Sequence, residues 1–182
     1  MIHIRGDKFE LEYSYNSIDR VVTETARKLC DSLESNNDDV VFLVMMNGAT
    51  WFADKIFGKF QYLPLNIEYV SVSSYVGEKQ GEISFNMKPK KEYLKGKHII
   101  IVEDIIDSGN TIKAVRSWLE KQKTTSISIC PLCIRERIEK DEYIYSHIIN
   151  EPLVIKDDAW LVGCGMDHYH CGRNLYEIYS KI

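Results

Sequence analysis

The chain has 182 residues, 45% of them hydrophobic and 27% charged. These are the fractions of an ordinary globular domain, and they exclude a disordered or collagen-like polymer. Twenty-seven acidic against 23 basic side chains leave a formal charge of -4, so there is no overall basic excess to hold a nucleic-acid backbone.

At about 100–200 residues per domain, one domain with a sizeable core is expected. The longest apolar stretches, Val40–Met46 and Ile99–Val102, fall far short of the about 20 residues that cross a bilayer. The opening Met1-Ile-His-Ile-Arg-Gly-Asp7 holds no hydrophobic signal core. Cys30, Cys130, Cys133, Cys164 and Cys171 are odd in number, which points to free thiols. The expectation is a cytoplasmic protein without membrane or nucleic-acid partners.

In chain order, apolar residues at Ile18, Val21, Val22, Thr25, Ala26, Leu29 and Leu33 predict a helix over Ser17–Ser35, capped by Asn16 or Ser17. Asn36–Asp39 reads as a turn, and the continuous apolar run Val40–Met46 as a buried parallel strand. Asn47-Gly48 turns the chain into a short helix, Thr50–Phe57. Leu65–Ser73 reads as a strand, Ser74–Glu82 as a polar excursion, and Ile83–Met87 as a returning strand. A second buried strand is Ile99–Val102. It is followed by a loop, Glu103–Asn110, and a helix, Thr111–Lys123, with Ile112, Val115 and Leu119 on one face. Ser126–Ile134 is a third strand, Arg135–Tyr145 a charged stretch without an assigned element, and Trp160–Gly163 a short strand. Alternating apolar strands and helices predict an α/β fold with an open, mostly parallel sheet. Ligands of such sheets bind beyond the carboxyl ends of the strands. That places chemistry at Asn47-Gly48, at Glu103–Thr111 and just after Ile134.

The sharpest feature is Ile99-Ile-Ile-Val-Glu-Asp-Ile-Ile-Asp-Ser-Gly-Asn-Thr111. Its second half suits an anion. A helix start presents unpaired N–H groups, Gly109 lets the backbone approach, and Ser108 and Thr111 add hydroxyls. No Gly-Lys-Ser/Thr follows a first glycine, so the run is not a triphosphate loop. Its first half carries Glu103, Asp104 and Asp107, which would repel a phosphate unless they meet something else. Adjacent acids can accept from a sugar diol or hold Mg²⁺ through water, and Asp107 can accept a proton. A phosphoribosyl diphosphate, with its 5′-phosphate, diol and metal-bound diphosphate, satisfies all of these groups.

The run resembles the phosphoribosyl-diphosphate motif of type I phosphoribosyltransferases. In the form Val-Glu-Asp-Ile-Ile-Asp-Ser-Gly-Asn-Thr it is close to that of hypoxanthine–guanine phosphoribosyltransferases. The likeness extends from about Asp19 to Leu175. It implies a single domain over residues 1–182: a mostly parallel open sheet flanked by helices, with its core at about 17–135. A small hood is then built from the chain ends, at about 1–16 and 136–182. It further implies that Glu103, Asp104, Ile105, Ile106, Ser108, Gly109, Asn110 and Thr111 bind substrate, that Asp107 is catalytic, and that Glu103 and Asp104 also serve Mg²⁺.

Asn47-Gly48 resembles the family's diphosphate loop, where the peptide before the first residue is often cis. Ser74 and Tyr75 match the Ser-Tyr pair of a lid that keeps water from an oxocarbenium-like ribose. Arg135 stands where the family usually has Lys donating to the purine 6-oxo group, and an Arg fork is not equivalent. Asp158-Ala-Trp-Leu-Val-Gly-Cys-Gly-Met-Asp167 resembles the family's Asp-x-aromatic-Val-Val-Gly-Tyr-Gly-Leu-Asp. There Asp158 would bind a second Mg²⁺, and Trp160 matches an aromatic position. The stretch where the family has its stacking aromatic, Asn150–Val154, contains none, leaving Tyr145 or Trp160 to compensate. Arg173 matches an Arg that reaches the diphosphate.

Other constellations carry less. Cys130 and Cys133 have CxxC spacing inside a strand, where alternation sends them to opposite faces. His168, His170 and Cys171, near Cys164, form one metal-like cluster without a second. Lys88–Lys91 and Lys95–Lys97 form a small basic patch.

The expected function is transfer of 5-phosphoribosyl to N9 of hypoxanthine or guanine, with Mg²⁺ as cofactor. Phosphoribosyl diphosphate and a 6-oxopurine are the ligands. The family's habit implies a homodimer or homotetramer, with Trp51, Phe52 and Phe57 as a contact. The alternatives are a xanthine or pyrimidine acceptor, or a non-catalytic regulator that senses phosphoribosyl diphosphate.

Overall fold

The computed structural model of the chain describes residues 1–33, 39–60, 62–74 and 83–182. It opens with an antiparallel pair that periodicity did not mark, β1 (Ile2–Ile4) and β2 (Asp7–Tyr13). In β2, Phe9 is fully buried while Leu11 is largely exposed, so apolar residues and burial do not alternate together. The helix α1 (Tyr15–Leu33) follows, and it buries the seven residues that its spacing singled out. Next come β3 (Val40–Met46), α2 (Thr50–Phe57), β4 (Asn66–Ser74) and β5 (Ile83–Met87). After them stand the short α3 (Lys91–Leu94), β6 (His98–Ile106), α4 (Asn110–Lys121) and β7 (Ser126–Arg135). The charged stretch after β7 forms a 3-10 turn, Glu136–Lys140, and a one-turn helix, α5 (Glu142–Tyr145). The chain finishes with β8 (Leu153–Ile155), β9 (Leu161–Val162) and β10 (Ile178–Lys181).

Six strands make one sheet in the order β5-β4-β3-β6-β7-β8. All its pairings are parallel except β4 with β5. The two continuous apolar runs lie side by side at its centre. Leu43, Val44, Ile101 and Val102 are fully buried, as strands covered on both faces require. The second sheet, β1-β2-β10-β9, joins the two chain ends. It is tied to the first where Tyr13 Oη donates to the Val154 carbonyl at 2.7 Å. The division at residue 135 differs from the strand pairing, since β8 extends the large sheet beyond β7.

The expected loop at Glu103–Asn110 is strand as far as Ile106. β6 stays in register with β7 through Glu103–Pro131, Ile105–Cys133 and Ile106–Ile134, so the acidic pair rides on a strand end. Polar residues mimic a loop in sequence, but the ladder bonds of a neighbouring strand override that composition.

Candidate active site

Because β3, β6 and β7 are parallel, their carboxyl ends open onto one edge. At β3 the Met46–Asn47 peptide is cis. Gly48 then passes against β6 so closely that a Cβ there would lie 1.8 Å from Asp104 Oδ2, so no other residue fits without displacing that carboxylate. Backbone amides hold the acids in place. The Asp104 N–H donates to Glu103 Oε1 at 3.1 Å, and the Ile105 N–H to Asp104 Oδ1 at 2.9 Å. Burial, together with the neighbouring Asp104 carboxylate, pushes the Glu103 carboxyl well above the usual range.

At the start of α4, Gly109 adopts φ +77°, and a Cβ would meet the Ile144 side chain at 2.3 Å. At its start the Asn110 N–H donates to Ser108 Oγ at 3.4 Å, while Thr111 and Ile112 of the same first turn border an open hollow of about 280 Å³. Glu103, Asp104, Ile105, Ile106, Asp107, Ser108, Gly109 and Thr111 line it, with Gly48 opposite. A second hollow of about 240 Å³ adjoins it, lined by Arg135, Trp160, Leu161, Met166, Asp167 and Arg173. The two share Gly48, Asp104, Ile105 and Asp107. Asn47 and Asn110 stand exposed beside the lining. Tyr75 lies outside the described residues, as does the rest of the lid motif apart from the end of β4, which Ser74 closes.

Trp160 is 57% exposed, so it is not a core residue. Its indole N–H donates to the Asp167 carbonyl at 2.9 Å, which fixes the ring as a wall of the second hollow. Tyr145 lines neither hollow. Arg135 is almost fully buried, with its fork committed to protein. Its Nε donates to Asp107 Oδ1 at 3.1 Å, and its terminal nitrogens to the carbonyls of Asp157 and Ala159. Arg173 pairs with Asp167 at 2.5 Å and donates to the Gly165 carbonyl at 2.7 Å.

Asp158 lies away from the acidic pair. Its carboxylate lines neither hollow and instead accepts from Arg137, which holds it below the usual carboxylate range. Two residues of the site escaped the sequence reading. Asp167 ends the run already quoted, but nothing in sequence told which acid of that run faces the hollow. Arg137 sits in a charged stretch without periodicity and carried no signal. The discounted clusters are otherwise employed. Cys130 and Cys133 are fully buried, and burial pushes the Cys130 thiol up to about 12. His168 pairs with Asp7 at 2.7 Å. Among the described residues, no three of His, Cys, Asp and Glu converge on one point.

Residues 14–168 match the phosphoribosyl transferase domain family. A hypoxanthine-guanine phosphoribosyltransferase of Aquifex aeolicus is 30% identical over 183 residues, covering 98% of each chain. A hypoxanthine-guanine-xanthine phosphoribosyltransferase of Tritrichomonas foetus is 28% identical over 164 residues, covering 90% of this chain and 86% of its own. Among solved structures, a hypoxanthine phosphoribosyl transferase of Trypanosoma cruzi superposes with a TM-score of 0.82 at 17% identity, covering 100% of this chain and 95% of that one, a likeness of fold. The strand-borne acids, the open helix start and these matches agree: the chain belongs to the phosphoribosyl transferase domain family.

Proposed function

We propose that the protein is a purine-salvage pentosyltransferase that moves 5-phosphoribosyl from its diphosphate to N9 of hypoxanthine or guanine, giving IMP or GMP and diphosphate. One observation carries this reading. An anion-binding helix start and a ring-walled hollow meet at the same four residues, Gly48, Asp104, Ile105 and Asp107. A ligand with phosphate at one end and a planar base at the other fits that pair of hollows. The amides and hydroxyls at Ser108–Thr111 hold the 5′-phosphate. Glu103 and Asp104 accept from the ribose hydroxyls. Trp160 stacks on the base, and Asp107 accepts the proton from the purine ring nitrogen. Arg173 and the Asn47-Gly48 backbone receive the diphosphate, and the Ser74-Tyr75 lid keeps water out.

The donor set fits Mg²⁺. Two adjacent carboxylates, with no third protein ligand among the described residues, are too few to cage an ion, yet they suit one that keeps waters and substrate oxygens in its shell. Glu103 and Asp104 would hold one ion on the ribose side, and Asp167, which lines the second hollow as Asp158 does not, a second one on the diphosphate side. When bound, Mg²⁺ offsets charge on the departing diphosphate. The five free thiols support a cytoplasmic location, and no described helix is long and apolar enough to cross a membrane. Assembly as a homodimer or homotetramer belongs to this reading. Of the helix residues expected at a contact, Phe52 is fully buried and Phe57 packs on Phe42, which leaves Trp51 beside exposed Tyr176.

The test is direct. Purified protein with Mg²⁺ and phosphoribosyl diphosphate receives hypoxanthine, guanine or xanthine in turn, and nucleotide is followed by chromatography. IMP or GMP should form. No product with any base would leave the regulator reading in its place.

A further inference from the structure

Arg137 lines neither hollow, yet it grips Asp107, which lines both. Its Nε donates to the Asp107 carbonyl at 3.1 Å and its Nη2 to Asp107 Oδ1 at 2.5 Å, while Nη1 donates to Asp158 Oδ1. One planar group thus grips both backbone and side chain of Asp107 and reaches a second loop. That loop, 156–160, contains neither helix nor strand. Arg135 holds its residues Asp157 and Ala159 by their carbonyls, and Arg137 holds Asp158 between them. Trp160 follows immediately. The place of this ring relative to Asp107 therefore depends on two adjacent forks.

We propose that Arg137 is a positioning residue for purine recognition. By tying Asp107 to Asp158 it sets the opening between the proton acceptor and the Trp160 ring into which the base slides. The inference rests on the reading of the second hollow as the purine site. Lone ion pairs at a surface contribute little, but a fork whose nitrogens are all used on fixed partners is the geometry in which they count. Oδ1 of Asp107 is occupied by both arginines, and among the described residues no donor is placed on Oδ2, which leaves that oxygen for the purine. A lysine could not replace Arg137, because a point charge cannot make the three planar bonds. Arg137 is half exposed, so truncating it opens no cavity in the core.

The experiment compares the parent with Arg137→Ala, Arg137→Lys, Asp158→Asn and the Arg137→Ala/Asp158→Asn double variant. The readouts are separate KM values for base and for phosphoribosyl diphosphate, and calorimetric titration with GMP. Arg137→Ala should raise the base KM and the GMP Kd by about tenfold, the loss of one charge-assisted contact, with the KM for phosphoribosyl diphosphate within about twofold of the parent. Arg137→Lys should not restore the base KM, and the double variant should be no worse than Arg137→Ala alone. Added methylguanidinium should recover part of the loss. Equal rises in both KM values, full rescue by Lys, or additive losses in the double variant would overturn the proposal. Should Arg137→Ala fold poorly, Arg137→Lys and Asp158→Asn carry the same comparison. A parent that binds no GMP and makes no nucleotide overturns the purine-site reading together with this one. A parent that does both, with variants that match it, overturns this one alone.

Discussion

Single residues carry the chemistry. Gly48 is fixed by the Asp104 carboxylate pressed against its Cα. Gly48→Ala must push that carboxylate aside, so kcat/KM should fall at least about tenfold, as small misplacements in a site do, with little change in Tm. Asp107→Asn removes the proposed proton acceptor and should cost about 10²–10⁴ in kcat with unchanged circular dichroism; near-parent turnover would remove that role. Glu103 offers a different test. Burial raises its carboxyl in the folded protein, so its protonated form favours folding. That contribution is complete below the unfolded value of about 4.3 and is lost as pH rises through the higher folded value. Glu103→Gln should therefore melt higher than the parent at alkaline pH, gain nothing near pH 4, and lose activity. Scans of Tm across pH decide it. The grouping of Glu103, Asp104 and Asp107 at one hollow was readable because the three acids are neighbours in sequence beside a helix start. Arg137 was not readable, because its partners are distant in sequence.

At the scale of elements, burial on both faces makes the central strands the chief store of stability. Ile101 is fully buried in β6, next to Leu43 of β3 and Ile129 of β7. Ile101→Ala should cost about 2–5 kcal/mol by urea denaturation, the usual range for a large-to-small change in a close-packed core. The continuous runs of β3 and β6 and the 3.6-residue rhythm of α1 showed these elements directly. The strand ends did not show. β6 continues through Glu103–Ile106 only because β7 supplies ladder partners there. β1 and β2 stayed hidden because their sheet forms from chain ends that no local pattern connects.

At the scale of the whole molecule, the sheet of chain ends reaches the rim of the site. Asp7 on β2 accepts from both Lys181 and His168 at 2.7 Å, next to Asp167. These bonds, Lys181 first, hold the Asp7 carboxyl below its usual range. The stability this confers is present above the unfolded value of about 3.9 and is lost as pH falls through the folded value. Asp7→Asn should therefore melt lower than the parent at neutral pH, with the gap closing under acid. An unchanged gap across pH would show that these ion pairs do not support the second sheet. The chain alone was enough for the α/β class and for the helix start after Gly109 with the acids before it, because these are set by neighbours in sequence: strand runs, a glycine turn, a charge pattern. Folding in three dimensions was needed to bring Trp160, Asp167 and Arg173 to those acids and to turn Asp158 aside onto Arg137. Those side chains come from loops flanking β9 in the antiparallel sheet of chain ends, while the acids end a strand of the parallel one, and no local pattern encodes the meeting of two sheets.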